Sequence, residues 1–135
     1  MHEASIALAI VDEVCERASA ERIARVTMVR VRIGALTSVV PDALLFAWEL
    51  ATDGTVASGS RLEIEPVPLA IECAPCGAER IIERGSLPVC PECGTSSNTI
   101  LRGRELIVNA MEVEYAPASG GRSTEHPSQE HYAGA

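Results

Sequence analysis

Between Glu3 and about Ala18 the apolar residues Ile6, Ile10 and Val14, with Ala7 and Val11, fall on one arc of a helical wheel, while Ser5, Asp12 and Glu16 share the other side. This period predicts an amphipathic helix that starts almost at the first residue, so Met1 and His2 stand beside amide groups with no partner inside the helix. From Val26 to Ile33 the period changes, with Thr27, Val29, Val31 and Ile33 alternating against Met28, Arg30 and Arg32. That pattern predicts a strand with one buried face, ended by Gly34. Pro41 opens a second helix that runs to about Thr52, with Leu44, Leu45 and Trp48 as its apolar residues, and Asp53-Gly54 stops it. Leu62, Ile64 and Val67 mark a second strand ending at Pro66-Val67-Pro68, and Glu105 to Tyr115 reads as a long third one, with Ile107, Met111, Val113 and Tyr115 largely on one side. The fold class is α+β: two helices packed on a small three-stranded sheet, with a segment inserted before the last strand. The expected domains are residues 1–67 plus 104–116, and residues 68–103. Residues 117–135 are rich in Gly, Ser, Pro, Gln and Ala and are expected to form a disordered tail.

The inserted segment carries Cys73-x2-Cys76 and, after thirteen intervening residues, Cys90-x2-Cys93. That gap lets the chain loop out and return four sulfurs to the corners of one tetrahedron, which is a structural zinc spacing. Glycine follows the second cysteine of each pair, in Cys73-Ala74-Pro75-Cys76-Gly77 and Cys90-Pro91-Glu92-Cys93-Gly94. It permits the tight turn that brings backbone N–H groups to the thiolates. A thioredoxin-like redox pair needs a single CxxC on a βα unit, and two disulfides are the other alternative; both fit less well. The odd cysteine, Cys15, lies among Val11, Val14 and Ala18 on the first helix and reads as a buried or half-buried structural thiol.

Composition narrows the function. Eleven arginines and no lysine face nineteen acids in 135 residues, giving a formal charge of −8. Four thiolates around Zn2+ would add about two more negatives, so nucleic-acid binding through phosphate contacts is disfavoured. Neither a signal peptide nor an apolar run of membrane-spanning length is evident, and a cytoplasmic, reducing compartment without membrane attachment is expected. A closed four-cysteine shell leaves no position for water, and the ordered part carries no His/Asp/Ser constellation, so the chain is not read as an enzyme. A zinc-ribbon module for protein interaction, or one associated with nucleic acid, is the alternative class. Exposed edges on a three-stranded sheet are compatible with a monomer or a weak homodimer.

Met1-His2-Glu3 offers a second metal chemistry. A neutral α-amine, the amide nitrogen of residue 2 and the His2 imidazole can close adjacent chelate rings, and the Glu3 amide can supply a fourth nitrogen in a square plane suited to Ni2+ or Cu2+. Taken alone, one histidine near a chain end is ordinarily a surface residue. Likewise the Glu3 carboxylate reads first as a charge that complements the dipole of the first helix, and second as a contact for a partner.

The opening Met1-His2-Glu3, Val31-Arg32-Ile33-Gly34-Ala35-Leu36, Val40-Pro41-Asp42-Ala43-Leu44-Leu45-Phe46-Ala47-Trp48, the doubled CxxC and Gly103-Arg104-Glu105-Leu106 together resemble the HypA/HybF family of hydrogenase nickel-incorporation proteins, from Met1 to about Val113. The resemblance implies a nickel metallochaperone that helps insert Ni2+ into the large subunit of [NiFe]-hydrogenase with the GTPase HypB, and that in some organisms also serves urease. It implies a nickel-binding α/β domain and a zinc domain. Carried over by residue, the Met1 amine, the His2 amide and imidazole and the Glu3 amide match the nickel site, and Cys73, Cys76, Cys90 and Cys93 match the zinc site. Some members carry histidines flanking the zinc cysteines. None does so here, since His126 and His131 lie in the tail, and an all-sulfur zinc shell is expected.

Overall fold

The computed structural model describes residues 2–117. Two helices and two three-stranded sheets make an α+β architecture, as the periodicity implies. The contacts divide the chain into two compact units: Met1–Val31 with Val39–Ile64 and Val108–Ala135, and Arg32–Ser38 with Glu65–Ile107.

Helix α1 (Glu3–Ala20) buries Ile6, Ala7, Ile10, Val11, Val14 and Ala18, a stripe at helical spacing. It stops where the Glu21 N–H returns to the Arg17 carbonyl and Arg22 takes a left-handed φ of 59°. Strand β1 (Ile23–Gly34) then begins. Helix α2 (Pro41–Thr52) has Pro41 in its first turn, where a missing N–H costs nothing, and buries Leu44, Ala47, Trp48 and Thr52. The Trp48 indole N–H is satisfied by Ser60 Oγ at 3.0 Å, and the Thr52 hydroxyl by the Trp48 carbonyl at 2.8 Å. α1 and α2 pack on each other.

The first sheet has the order β2-β1-β6, with β2 Arg61–Val67 and β6 Leu106–Tyr115. Pro66 is tolerated because β2 is an edge strand, where a missing ladder donor is harmless. Arg30 reaches across to Glu63 at 2.9 Å and Arg32 to Glu65 at 3.4 Å, so the polar positions of β1 answer those of β2.

Two side chains depart from the expected pattern. Met28, placed by alternation among the polar positions of β1, is buried, as is Val26 two residues before it. Residues two apart share a face, so Val26 and Met28 bury the early part of the face that carries Arg30 and Arg32 further along, and beside the strand Val26 N–H donates to the Val56 carbonyl at 2.9 Å. Leu45 of α2 is exposed, with Phe46 and Leu50, because only the Leu44–Ala47–Trp48 stripe faces inward.

The second sheet lies wholly within the second unit and has the order β4-β3-β5, with β3 Leu69–Cys73, β4 Ala78–Ile82 and β5 Ile100–Arg102. Only Pro68 separates β2 from β3. Leu69, Ile71 and Ile82 form a small buried cluster with Ile100 packed against it. In the same unit Gly34 and Gly103, drawn from two of the motifs that carry the family resemblance, meet backbone to backbone. Gly34 N–H donates to the Glu105 carbonyl and Leu36 N–H to the Gly103 carbonyl, both at 2.8 Å. A Cβ on Gly34 would overlap the Gly103 carbonyl group and the Arg104 nitrogen, which are backbone and cannot rotate away. Gly34→Ala is therefore expected to destabilise the protein by about 3 kcal/mol. A urea midpoint indistinguishable from that of the unsubstituted chain would show that the backbones separate freely.

Candidate metal centres

The hairpin β3–β4 carries the first cysteine pair. Its antiparallel register sets Cys73 opposite Ala78, and the turn between them holds Cys76 and Gly77. Gly77 has φ +63° and Gly94 has φ +78°, with open space around each, so it is the left-handed backbone and not crowding that requires glycine. The second pair sits on a matching turn, where Gly94 N–H donates to the Cys90 carbonyl at 2.8 Å and Cys90 N–H to the Thr95 carbonyl at 2.9 Å. Ser97 fastens this turn to β3 through its hydroxyl on the Glu72 carbonyl at 2.7 Å.

The result is one cluster in which the four Sγ atoms lie within 4.8 Å of one another. Cys73 and Cys93 sulfurs are 3.5 Å apart, and those of Cys76 and Cys90 are 3.9 Å apart. A tetrahedron with metal–sulfur bonds of about 2.3 Å has edges of about 3.8 Å, so the cluster has the size that Zn2+ requires. None of the four cysteines forms a disulfide.

Each sulfur has a distinct environment. The Cys76 amide N–H favours a thiolate at Cys73, but burial and the sulfurs of Cys93, Cys76 and Cys90 oppose it and push its pKa up to about 12. For Cys90, burial raises the pKa, and the amides of Cys93 and Glu92, then Arg80 and the Cys73 sulfur, outweigh it and bring the thiol down to about 6. Cys93 is lowered by the Thr95 hydroxyl, which lies 3.2 Å from its sulfur, and by the Thr95 amide. Amide N–H groups thus approach the first sulfur of each pair, as the glycine placement implies. Without a cation the four sulfurs compete for negative charge, and a dication among them removes the conflict. Two faces differ in access: Cys73 and Cys90 are buried, Cys76 is half-buried and Cys93 exposed.

At the other end of the chain, His2 is the exposed N-cap of α1, in extended conformation, and its carbonyl accepts from Ile6 N–H at 3.1 Å. Glu3 is the first helical residue. Its carboxylate reaches the first turn of the other helix, where Oε2 accepts from the Val40 N–H at 2.9 Å. Val40 is the N-cap of α2 and has no side-chain cap of its own, so Glu3 supplies the missing acceptor and a negative charge at that helix end. The Val40 amide, followed by its own amide, holds the Glu3 carboxyl below the ordinary range. Glu3 stands in the first turn of α1, where its charge complements that helix as expected, and the link across 37 residues to the start of α2, which has no local signature, is added to it. Met1, His126 and His131 lie outside the described residues.

Sequence reasoning also passed over Arg80, whose guanidinium faces the sulfurs of Cys76 and Cys90. The available signal was its place in a hairpin two residues beyond Ala78, on the same face as the cysteine side of β3.

A family model described as hydrogenase/urease nickel incorporation, metallochaperone, HypA matches residues 1–113. Among curated relatives the chain is 42% identical over 114 residues to a hydrogenase maturation factor HypA from Roseiflexus sp. (strain RS-1), covering 84% of this chain and 93% of that protein. It is 44% identical over 114 residues to that of Geobacter metallireducens, covering 84% and 100%. The solution structure of the nickel metallochaperone HypA from Helicobacter pylori superposes with a TM-score of 0.61 at 19% identity, over 86% of this chain and 100% of that one. A second HypA solution structure gives 0.60 at 23% identity, over 84% and 96%. These two likenesses concern the fold. With the match spanning both the helix–sheet part and the cysteine cluster, the chain belongs to the HypA family of nickel metallochaperones for hydrogenase maturation.

Proposed function

We propose that this chain binds Ni2+ at its N-terminus, through the Met1 amine, the His2 amide and imidazole and the Glu3 amide, and delivers it to the large subunit of [NiFe]-hydrogenase in the cytoplasm, together with the GTPase HypB. Urease is a second recipient consistent with the family description. In this reading residues 1–67 with 104–116 serve nickel, and residues 68–103 hold a structural Zn2+ on Cys73, Cys76, Cys90 and Cys93. The protein acts as a monomer or weak homodimer, and its chemistry is ligand exchange without bond-making in a substrate.

The observation that carries the nickel reading is the exposed position of His2 at the N-cap of α1. The first amides of a helix have no carbonyl to donate to, so metal binding there breaks no helical hydrogen bond. Glu3 Oε2 on Val40 holds this turn against α2, while His2 is exposed. Cargo so placed is open to attack by a recipient's ligands. Amide nitrogens bind only after losing a proton, so affinity falls with pH.

Calorimetric titration of tag-free, zinc-loaded protein at neutral pH is expected to show about one Ni2+ per chain with a Kd on the order of a micromolar or tighter. His2→Ala, and a chain with one residue added before Met1, are expected to lose it. Equal binding by all three would place nickel elsewhere. If none of them binds, the zinc-ribbon interaction module becomes the better reading.

Removing the metal from the cysteine cluster tests the second site. Modules below about 40 residues usually need a metal or disulfides to fold, and residues 68–103 bury one small aliphatic cluster, Leu69, Ile71 and Ile82 with Ile100 packed against it. A strong chelator under reducing conditions should therefore abolish the protection of the β3–β4 amides against hydrogen exchange. Retained protection in demonstrably zinc-free protein would show that the unit folds on its apolar contacts alone.

Glu3 has its own pH signature. Because the folded chain holds its carboxyl below the ordinary range, the stabilisation is complete above the unfolded value of about 4.3 and is lost as pH falls through the lower folded one. Glu3→Gln should lower the thermal midpoint of nickel-free protein by roughly 2–4 °C at neutral pH, with the gap closing below about pH 4. A gap that does not change with pH would mean that the amide replaces the carboxylate for steric reasons only.

A further inference from the structure

Arg80 occupies a position where an aliphatic residue is the ordinary choice. On β3 the residues Leu69, Ile71 and Cys73 share a face and are buried, and the register pairs them with Ile82, Arg80 and Ala78. Arg80 thus stands between buried Ile82 and the cysteine turn, directly opposite fully buried Ile71. Its Nε atom is buried with no hydrogen-bond acceptor among the described residues. The far end of the guanidinium faces the sulfurs of Cys76 and Cys90. Arg80 is half-buried, and an inward-facing guanidinium whose Nε is cut off from water is stabilised by a strong negative charge beside it.

The cluster supplies that charge when loaded. Four thiolates and one Zn2+ carry a net charge of −2, and one guanidinium halves it. N–H donors on a metal-bound thiolate also withdraw electron density from sulfur and make it a poorer nucleophile. Their distribution is uneven: the Arg80 guanidinium faces Cys76 and Cys90, whereas exposed Cys93 has the Thr95 hydroxyl 3.2 Å away and no cation beside it among the described residues.

We infer that Arg80 is the countercation of the four-cysteine centre, a positioning residue that holds the Cys76 and Cys90 sulfurs on the metal and leaves Cys93 as the ligand through which the metal is lost. The inference rests on the zinc reading proposed above. It assigns the cluster two sides: a guarded one formed by Cys76, Cys90 and Arg80, and an open one at Cys93. Agents that strip the metal, whether a competing chelator or a thiol-modifying electrophile, attack the open side first.

The test compares the full, zinc-loaded chain with Arg80→Met, which keeps the packed stem but removes the charge and the donors, and with Arg80→Lys, which keeps the charge. Elemental analysis comes first, and a native chain lacking about one zinc overturns the zinc reading itself, and with it this inference. With zinc present, release to a colorimetric chelator is followed in the presence of N-ethylmaleimide, and the modified cysteines are located by peptide mass spectrometry. In the native chain Cys93 is expected to react first. In Arg80→Met, release should be on the order of tenfold faster, with Cys76 and Cys90 modified alongside Cys93, and Arg80→Lys should lie between. Native release from Arg80→Met, with Cys93 still first, overturns the role of Arg80 while leaving the zinc site standing. If Arg80→Met takes up no zinc, Arg80→Lys decides: loading supports the countercharge, and equal failure makes charge irrelevant and overturns it.

Discussion

The second unit depends on four sulfurs meeting at one point. Its sheet has three short strands around Leu69, Ile71, Ile82 and Ile100, too few apolar side chains to order so many turns. The other constraints serve that meeting. Two left-handed glycines shape the turns, Ser97 fastens the second turn to β3, and Gly103 brings its backbone against Gly34. The first unit works differently. It stands on an aliphatic core in which α1 and α2 pack together and Trp48 is the one buried aromatic among the described residues, tied by its indole N–H to Ser60.

What could be read from the chain followed what has a period. Both helices and the three strands of the first sheet were legible because each runs long enough for its apolar residues to repeat, and the cysteine cluster because its spacing and glycines are local. Strands β3 and β4 were not assigned. Leu69-Ala70-Ile71 is a short unbroken apolar run, and β4 reads Ala78-Glu79-Arg80-Ile81-Ile82, with arginine at an inward position and Ile81 at an outward one. Its alternation is inverted by the very residue that serves the sulfurs. Met28 and Leu45 depart from the pattern for the complementary reason, since tertiary neighbours bury the one and leave the other exposed, and a period does not record them. The Glu3–Val40 bond joins residues 37 apart, and only tertiary packing creates it.

This bond gives a concrete sense to the opening residues. A chain terminus ordinarily frays, because its first amides have no partners and its side chains little to pack on. Here the residue next to His2 spends its carboxylate on the N-terminus of α2, which lacks a cap of its own. One contact therefore finishes one helix and restrains the start of the other. A metal chelate formed from consecutive backbone nitrogens gains from such restraint, since fewer conformations are lost on binding.

Donor chemistry then separates the two metal roles in the proposed reading. Four thiolates close a tetrahedron and leave no vacancy, so an ion held there leaves only when a sulfur is displaced, and three of the four sulfurs are buried or half-buried. A nitrogen chelate at an exposed helix start has open faces above and below its plane, and it can be dismantled one donor at a time as amides regain their protons. Soft sulfur ligands and a closed shell suit an ion that stays, while amine, amide and imidazole nitrogens in a plane suit Ni2+ that must be handed on. The same chain can hold both ions without confusion because geometry, and not affinity alone, excludes each from the other's place. A square plane cannot be built from sulfurs on two opposed turns, and three consecutive residues cannot wrap a tetrahedron of thiolates.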